Sequence, residues 1–490
     1  MNFIEDVMER SPASRLGIVA VDSEGNRRDW FFGELIACSA GLSGAFAARG
    51  VKRGDVVMTL VGNRIEWVLS LLACWRMGAV ALPCSTMLRR QDLALRVAAA
   101  DPKLCVGEDA LLAELPDGVA TMTMDEVAAA LDEDLPQETP APVEAMGAED
   151  PALIVFTSGT TGEPRGVVHG YRYLLGQAGQ AEHWFGARKG ELAWCTTATG
   201  WSKSARNVFL APWLTGAAAV IHDGRFDPGE RLDFVEALGV NVLCQAPTEY
   251  RMIAKRTALR PLPALRRKVS AGEPLEAETI AAWRTATGLE VADGYGQTET
   301  GHISGNHVGV PVREGSMGKS LPGLNIRLAR PEGSGDDVSA AGELQLRAAS
   351  SPTFFSRYLD GERFEGEWWP TGDLVREDAD GYLFFEGRDD DIILSSGYRI
   401  GPFEVESALL SHPAVAEAAA VAAPDPERGA VVRAIVVPNG RKPSEELARE
   451  LQEHCKRETA PYKFPRIVEF AAELPKTSSG KVKRAQLRQE

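Results

Sequence analysis

A short apolar run, Leu153 to Phe156, leads directly into a stretch built almost wholly of glycines and hydroxyls: Thr157, Ser158, Gly159, Thr160, Thr161, Gly162, Glu163, Pro164, Arg165 and Gly166. The run has the length and composition of a buried strand. What leaves its end is a turn whose backbone N–H groups can approach an anion with no Cβ in the way. Serine and threonine hydroxyls add donors that carry no charge, so the segment suits the phosphate oxygens of a nucleotide, and ATP is the expected ligand. It is not a Walker loop, because no Lys-Ser/Thr pair follows its second glycine. A second Gly/Ser/Lys-rich stretch, from Pro475 to Lys481, lies near the C-terminus. It lacks the upstream glycine that a Walker loop requires.

A chain of 490 residues exceeds what one hydrophobic core usually organises, so more than one domain is expected. No apolar stretch is long enough to span a bilayer, and the first ten residues mix in acids where a signal peptide needs a basic and then an apolar run. A cytoplasmic protein is therefore expected, with the oligomeric state left open between monomer and homodimer. The cysteines at 38, 74, 84, 105, 195, 244 and 455 form no C-x-x-C pair, and they read as small core residues and not as disulfides or metal ligands. A formal charge of −16 argues against a nucleic-acid or anionic-membrane partner. From Arg388 to the end acids and bases balance at 16 each, so the whole negative excess belongs to residues 1–387. A polyanion held there needs local donors, a divalent metal and cations brought from elsewhere. The C-terminal tail offers Lys476, Lys481, Lys483, Arg484 and Arg488 with no acid between them.

Up to about residue 130 the pattern alternates between helical and strand-like: a helix over 32–48, a buried strand over 55–62 and a helix over 67–77. Residues 133–150 are acidic and proline-rich and read as a surface connection. Further α/β units follow, with strands at 217–221, 240–245 and 289–292 and helices at 228–238 and 276–287. Between 342 and 385 short strands and turns suggest a β-rich portion. The remainder reads as helix 402–410, strands 415–422 and 431–437, helix 444–459 and strand 466–470, a compact α+β module. The expected fold is thus multidomain α/β: a large N-terminal part of Rossmann-like α/β subdomains with a β-rich subdomain, and a small mobile α+β C-terminal part.

Three further segments carry nucleotide chemistry. Asp373 follows Gly372 in what reads as a tight turn, and its carboxylate is of the kind that accepts hydrogen bonds from a ribose diol. The segment Asp293, Gly294, Tyr295, Gly296, Gln297, Thr298 and Glu299 follows a strand-like run and combines an aromatic adenine wall, a phosphate donor at Thr298 and a Mg²⁺ ligand at Glu299. Gly272, Glu273 and Pro274 form another strand-end turn after Val269.

In this order the motifs resemble those of the acyl-adenylate-forming superfamily of acyl-CoA synthetases, adenylation domains and luciferases, and the resemblance covers nearly the full length. It implies a phosphate loop at 157–166, an adenine segment at 272–274, the Tyr-Gly-x-Thr-Glu signature at 295–299 and a ribose aspartate at Asp373. It also implies a hinge signature at 387–391 and a catalytic-lysine signature at 475–481. The implied domains are 1–387 and 392–490, joined by a hinge at 388–391 that pivots at Asp390. The implied reaction has two halves. A carboxylate attacks the α-phosphate of Mg·ATP to give acyl-AMP and pyrophosphate, and the thiol of coenzyme A then displaces AMP. Lys481 would bridge the acyl carboxylate and the α-phosphate, Arg388 and Asp373 would hold the ribose hydroxyls, and Arg399 would help with the phosphate. Ser396 and Gly397 would lie near the pantetheine after rotation at the hinge.

The segments containing Trp201 and Gln245 resemble those of medium-chain acyl-CoA synthetases, with Trp201 a wall of the acyl tunnel. Acetate-specific relatives carry Trp where this chain has Gly296 and a larger aliphatic where it has Ala271. The implied substrate is a medium-chain, branched or aromatic acid, each buried CH₂ adding about 0.8 kcal/mol. His169, His302 and His307 sit near motifs and are read as packing or hydrogen-bonding residues. The alternatives to an acyl-CoA synthetase are an enzyme that loads a carrier-protein phosphopantetheine, and a non-catalytic nucleotide-binding homologue.

Overall fold

The computed structural model describes the chain apart from residues 133–137, 158–163, 274, 276, 331–340, 389–390, 392, 396–397, 426–427, 477–480 and 490, and the side chains of 394, 398, 399, 461 and 489. Four sheets organise it. The first has seven strands in the order Arg357–Tyr358, Gly166–Gly170, Pro151–Phe156, Val80–Pro83, Val56–Leu60, Leu104–Gly107 and Thr121–Thr123. The second has nine: Lys319–Ser320, Gly301–Gly305, Val291–Gln297, Arg267–Ala271, Val242–Gln245, Leu192–Cys195, Ala218–His222, Leu16–Val21 and Arg27–Phe31. Both are parallel at the centre; the nine-stranded sheet is antiparallel at both edges, and the seven-stranded one only at the edge formed by Gly166–Gly170 and Arg357–Tyr358.

Between the two sheets lies the largest core. Helix Ile65–Met77 buries ten of its residues, Trp67 and Trp75 among them. A helix apolar all round has no solvent face to offer, so it packs between two layers. Gly78, with φ +73, ends it in the left-handed conformation that glycine adopts without a Cβ penalty. The cysteines behave as expected: all seven are free and, except half-buried Cys38, buried.

An antiparallel four-stranded sheet, Ile326–Ala329, Gly342–Arg347, Trp368–Glu377 and Leu383–Arg388, supplies the β-rich portion. The last sheet contains only strands from Ile393 onward and encloses its own core around Val405, Leu409, Val432 and Leu451. Helix Phe32–Ala48 and helix Pro402–Leu410 have the bounds their periodicity predicts. The hairpin Ile393–Ser395 with Tyr398–Ile400, and the short helix Arg484–Gln489, carry too little pattern to be read in advance.

Two expectations are corrected. Asp373 does not follow a tight turn; it lies inside the ten-residue strand Trp368–Glu377, where Gly372 takes a positive φ of +69 without ending the strand. The cations of the tail are not an unopposed cluster: Lys476, Lys481, Lys483 and Arg484 do line one cleft, but three of the five tail cations are paired with acids. Lys476 pairs with Glu417 at 2.6 Å, Arg484 with Glu406 at 2.7 Å and Arg488 with Asp391 at 2.7 Å, all within residues 388–490. The acids that neutralise them are distant in sequence, which is why the run reads as unopposed.

Candidate active site

In a parallel sheet all strands deliver their C-terminal ends to one edge, and the loops leaving that edge form a crevice. Here Val291–Gln297, Arg267–Ala271, Val242–Gln245 and Leu192–Cys195 end together. The residues after them line a cleft of about 1960 Å³ with Thr157, Trp201, Ala271, Gly272, Glu273, Asp293, Asp373, Arg388 and Lys481. Gly294, Tyr295, Gly296, Gln297, Thr298 and Glu299 line the same cleft. Ser158, Gly159, Thr160, Thr161, Gly162, Pro274, Asp390, Ser396 and Gly397 lie outside the described residues, as does the Arg399 side chain.

The loop 157–166 joins two antiparallel strands, with Phe156 opposite Gly166, so no helix follows it. Its base is closed by Thr157, whose N–H donates to the Arg165 carbonyl at 2.9 Å and whose hydroxyl accepts from the Arg165 N–H at 3.1 Å. The Arg165 guanidinium turns away from the loop and donates to Asp360 and Glu362, at 2.7 Å each, while stacking over Tyr358.

Asp373 is the most heavily tied side chain of the cleft. Tyr295 donates its hydroxyl to Asp373 Oδ2, Gln297 Nε2 donates to the same oxygen at 3.1 Å, and Arg388 Nη1 donates to Oδ1 at 3.3 Å. Asp373 and Arg388 face each other across adjacent strands, so their pairing is set by register. Gln297 is held in turn by Trp369 Nε1 at 3.1 Å and by the Thr371 carbonyl at 2.7 Å. Burial raises the Asp373 pKa despite Arg388, Tyr295 and Gln297, which favour the carboxylate. Burial and the nearby Asp373 charge push the Tyr295 phenol well above its ordinary value, so it remains a donor.

Lys481 enters from the C-terminal sheet's side. An isolated bridge between Lys476 and Val482 closes the loop that carries it. The side chain is exposed to the interior of the cleft, yet enough protein surrounds it that desolvation lowers its pKa, aided by repulsion from Lys203 and Arg388 and opposed by Glu273 and Asp373. Of the acids whose charge it meets, Glu273 belongs to the turn at 272–273 and Asp373 to the strand Trp368–Glu377, both lining the same cleft.

Lys203 is a cleft residue that pattern reading missed. Its ammonium donates to the Ala271 carbonyl, and a Cβ on Gly272 would stand 2.7 Å from Lys203 Nζ. The signal for it was a lone cation in an otherwise uncharged segment, Thr199 to Ala205. Glu299 lines the cleft and accepts from the Tyr358 hydroxyl at 3.1 Å. Among the described residues no cluster of three His, Cys, Asp or Glu could hold a metal, so a divalent ion at Glu299 would take its other oxygens from phosphate and water. His169 and His302 are fully buried beside Tyr173 and Trp184, with ring centroids 4.1 and 3.9 Å apart, and burial lowers both pKa values. This is the packing role expected of them. Gly296 cannot bear a side chain without backbone movement, because its Cβ would lie 2.0 Å from the Gly301 carbonyl oxygen.

Two α/β layers, a β-rich third part and a separate module that reaches into their common cleft define the architecture of an adenylate-forming enzyme. Residues 8–359 match the model of the AMP-binding enzyme family, and residues 404–481 match that of the AMP-binding enzyme C-terminal domain. The chain belongs to this family, and with it to the AMP-forming acid–thiol ligases of the acyl-adenylate-forming superfamily. It is 37% identical to an uncharacterised acyl-CoA ligase, YtcI, of Bacillus subtilis, covering 99% of this chain and 95% of the relative. It is likewise 37% identical to the mitochondrial acyl-coenzyme A synthetase ACSM3 of Mus musculus, covering 99% and 90%. Among solved structures, an anthranilate CoA ligase, AuaEII, in complex with anthranoyl-AMP superposes with a TM-score of 0.87 at 28% identity, covering 100% and 97% of the two chains.

Proposed function

We propose that the protein activates a medium-chain, branched or aromatic carboxylic acid, larger than acetate, to its acyl-AMP and then transfers the acyl group to coenzyme A. The observation that carries this reading is the convergence of Lys481 with Asp373, Arg388 and the turn at 272–273 in one cleft, although they come from different sheets. Attack by a carboxylate on an α-phosphorus brings two anions together, so catalysis is mainly positioning and charge stabilisation. Lys481, a compact charge on a flexible stem, lies between the two oxygens that approach. Asp373 accepts from the ribose diol, pre-oriented by Tyr295, Gln297 and Arg388. Thr157 and the loop after it, with Thr298, donate to the phosphates, and Tyr295 with residues 272–274 flanks the adenine. Glu299 would hold Mg²⁺, which supplies charge neutralisation of the polyphosphate when bound. Trp201 and Ala271 line the acyl side of the cleft.

For the second half-reaction, residues 392–490 would rotate about 388–391 at Asp390, withdrawing Lys481 and bringing Ser396 and Gly397 to the pantetheine. A cytoplasmic setting and free coenzyme A as acceptor complete the proposal. The test is pyrophosphate release and thioester formation over a panel of carboxylic acids, with and without coenzyme A. Acid-dependent pyrophosphate release followed by acyl-CoA formation is expected; release without any thioester would turn the reading toward a carrier-protein acceptor.

A further inference from the structure

Residues 199–204 are anchored to the large part of the molecule at both ends. Thr199, 2% exposed, donates its hydroxyl to the Val61 carbonyl at 2.8 Å. Gly200, with φ +84, passes so close to Ser85 that a Cβ on it would stand 2.3 Å from the Ser85 nitrogen. The segment then turns on itself, the Trp201 carbonyl accepting from the Ser204 N–H at 2.9 Å and from the Ser204 hydroxyl at 2.7 Å. Between these anchors Trp201, Ser202 and Lys203 are half-buried and line the cleft. From there the Lys203 ammonium reaches the C-terminal end of strand Arg267–Ala271, where its bond to the Ala271 carbonyl uses one of its three N–H donors. Among the described residues no carboxylate pairs with it. It is a cation on a fixed turn, at the sheet edge where ligands of such folds bind.

Lys481 enters the same cleft from the other module and meets Lys203 as a like charge. Two amines brought to one cavity repel each other, and an anion lying between them turns that repulsion into attraction. The acids beside Lys481 are otherwise engaged: Asp373 accepts from Tyr295, Gln297 and Arg388, and Glu273 accepts from the Thr248 hydroxyl at 2.8 Å. The geometry points to Lys203 as a second catalytic cation, donating to the carboxylate oxygen that does not attack phosphorus. This deepens the proposed function and rests on it. Trp201, two residues before Lys203, and Ala271, its acceptor, line the acyl side, so its remaining donors serve the acyl end and not the polyphosphate. In adenylation one carboxylate oxygen bonds to the α-phosphorus, and pyrophosphate leaves with the electron pair of the broken P–O bond. The other oxygen becomes the acyl carbonyl. In the second half-reaction the sulfur of coenzyme A bonds to the acyl carbon and the thiol proton passes to solvent. Negative charge gathers on that same carbonyl oxygen until AMP leaves with the electrons of the C–O bond. Lys203 keeps its proton throughout and stabilises this oxygen in both steps, because it belongs to the part that does not rotate.

The test measures the two half-reactions separately, with the acid that the wild-type protein adenylates fastest and with its acyl-AMP. Adenylation is read as pyrophosphate release without coenzyme A, and the second step as single-turnover thioester formation from supplied acyl-AMP and coenzyme A. Lys203→Met is expected to lower the rate constants of both steps by about 10- to 100-fold, the scale of losing a hydrogen bond to a charged group. KM for ATP should stay within about twofold of wild type, since the lost interaction belongs to the transition state. Lys203→Arg, which keeps a cation, should restore part of both rates. Lys203→Gln, close to lysine in size and uncharged, repeats the comparison should the methionine variant not fold. Thioester formation by the uncharged variants within about threefold of wild type overturns the inference while leaving the proposed function standing. A Lys203→Arg variant no faster than the uncharged ones overturns it too, since the side chain would then matter for its shape and not its charge. Failure of the wild-type protein to release pyrophosphate with any acid overturns both.

Discussion

Asp373 and Lys481 line the same cleft and are held in opposite ways. Asp373 belongs to a β-ladder, sits 4% exposed, and has both carboxylate oxygens occupied by Tyr295, Gln297 and Arg388. Lys481 rides on a loop closed by one isolated bridge, on a module with its own core and sheet. In the proposed reaction Asp373 binds the same ribose in both half-reactions, and a group with that task gains from rigid orientation. Lys481 is needed, under the same proposal, in only one half-reaction, and such a group gains from being on a part that can leave. Among the described residues the two parts touch through Phe385 and Phe403, with ring centroids 6.2 Å apart, and through Lys255 Nζ, which donates to the Val415 carbonyl at 3.4 Å.

The largest expected effect is that of Lys481→Ala. Pyrophosphate release should slow by about 10²-fold or more, the scale of removing one preorganised donor, while thioester formation from supplied acyl-AMP persists. Equal loss in both steps would break the contrast between a fixed and a departing group. Next is Asp373→Asn, which removes the charge that Arg388 and the ribose both meet. Hydrogen bonds to a charged group are worth about 1.5–3 kcal/mol, so kcat/KM for ATP should fall by roughly 10- to 100-fold, and here both half-reactions should suffer. Phe403→Ala should weaken docking of the C-terminal part by about 1 kcal/mol, a few-fold loss in adenylation with the thioester step spared.

The smallest effect is a displacement on the pH axis. Because the folded-state pKa of Lys481 is lowered, its charge is lost on raising pH earlier than for an ordinary lysine, so adenylation should decline on the alkaline side below the usual lysine range. Lys203→Met removes a like charge and should move that decline upward in a pH–rate profile of pyrophosphate release; an unmoved limb would mean that Lys203 does not set the environment of Lys481.

Much of this organisation was readable in one dimension because it depends on local chemistry. The two-residue and 3.6-residue periodicities placed helix Phe32–Ala48, helix Pro402–Leu410 and the parallel strands, and glycines beside hydroxyls or carboxylates at strand ends marked the cleft segments. The tail cations illustrate what was not readable, since Glu406, Asp391 and Glu417 neutralise Arg484, Arg488 and Lys476 from 59 to 97 positions away. Gly296 illustrates a second kind. The absence of a side chain there looks like added acyl volume, but the Gly301 carbonyl already occupies the direction a Cβ would take.

The amino-acid order by itself determined the α/β class, most element types, the resemblance to the family and the identity of the cleft segments, because hydrophobic period, turn chemistry and motif spacing act over neighbouring residues. Only the tertiary structure decided which donors meet Asp373 and that Lys203 reaches the cleft beside the turn at 272–273. Those outcomes depend on strand register and on burial, and both are settled by groups brought together across hundreds of residues.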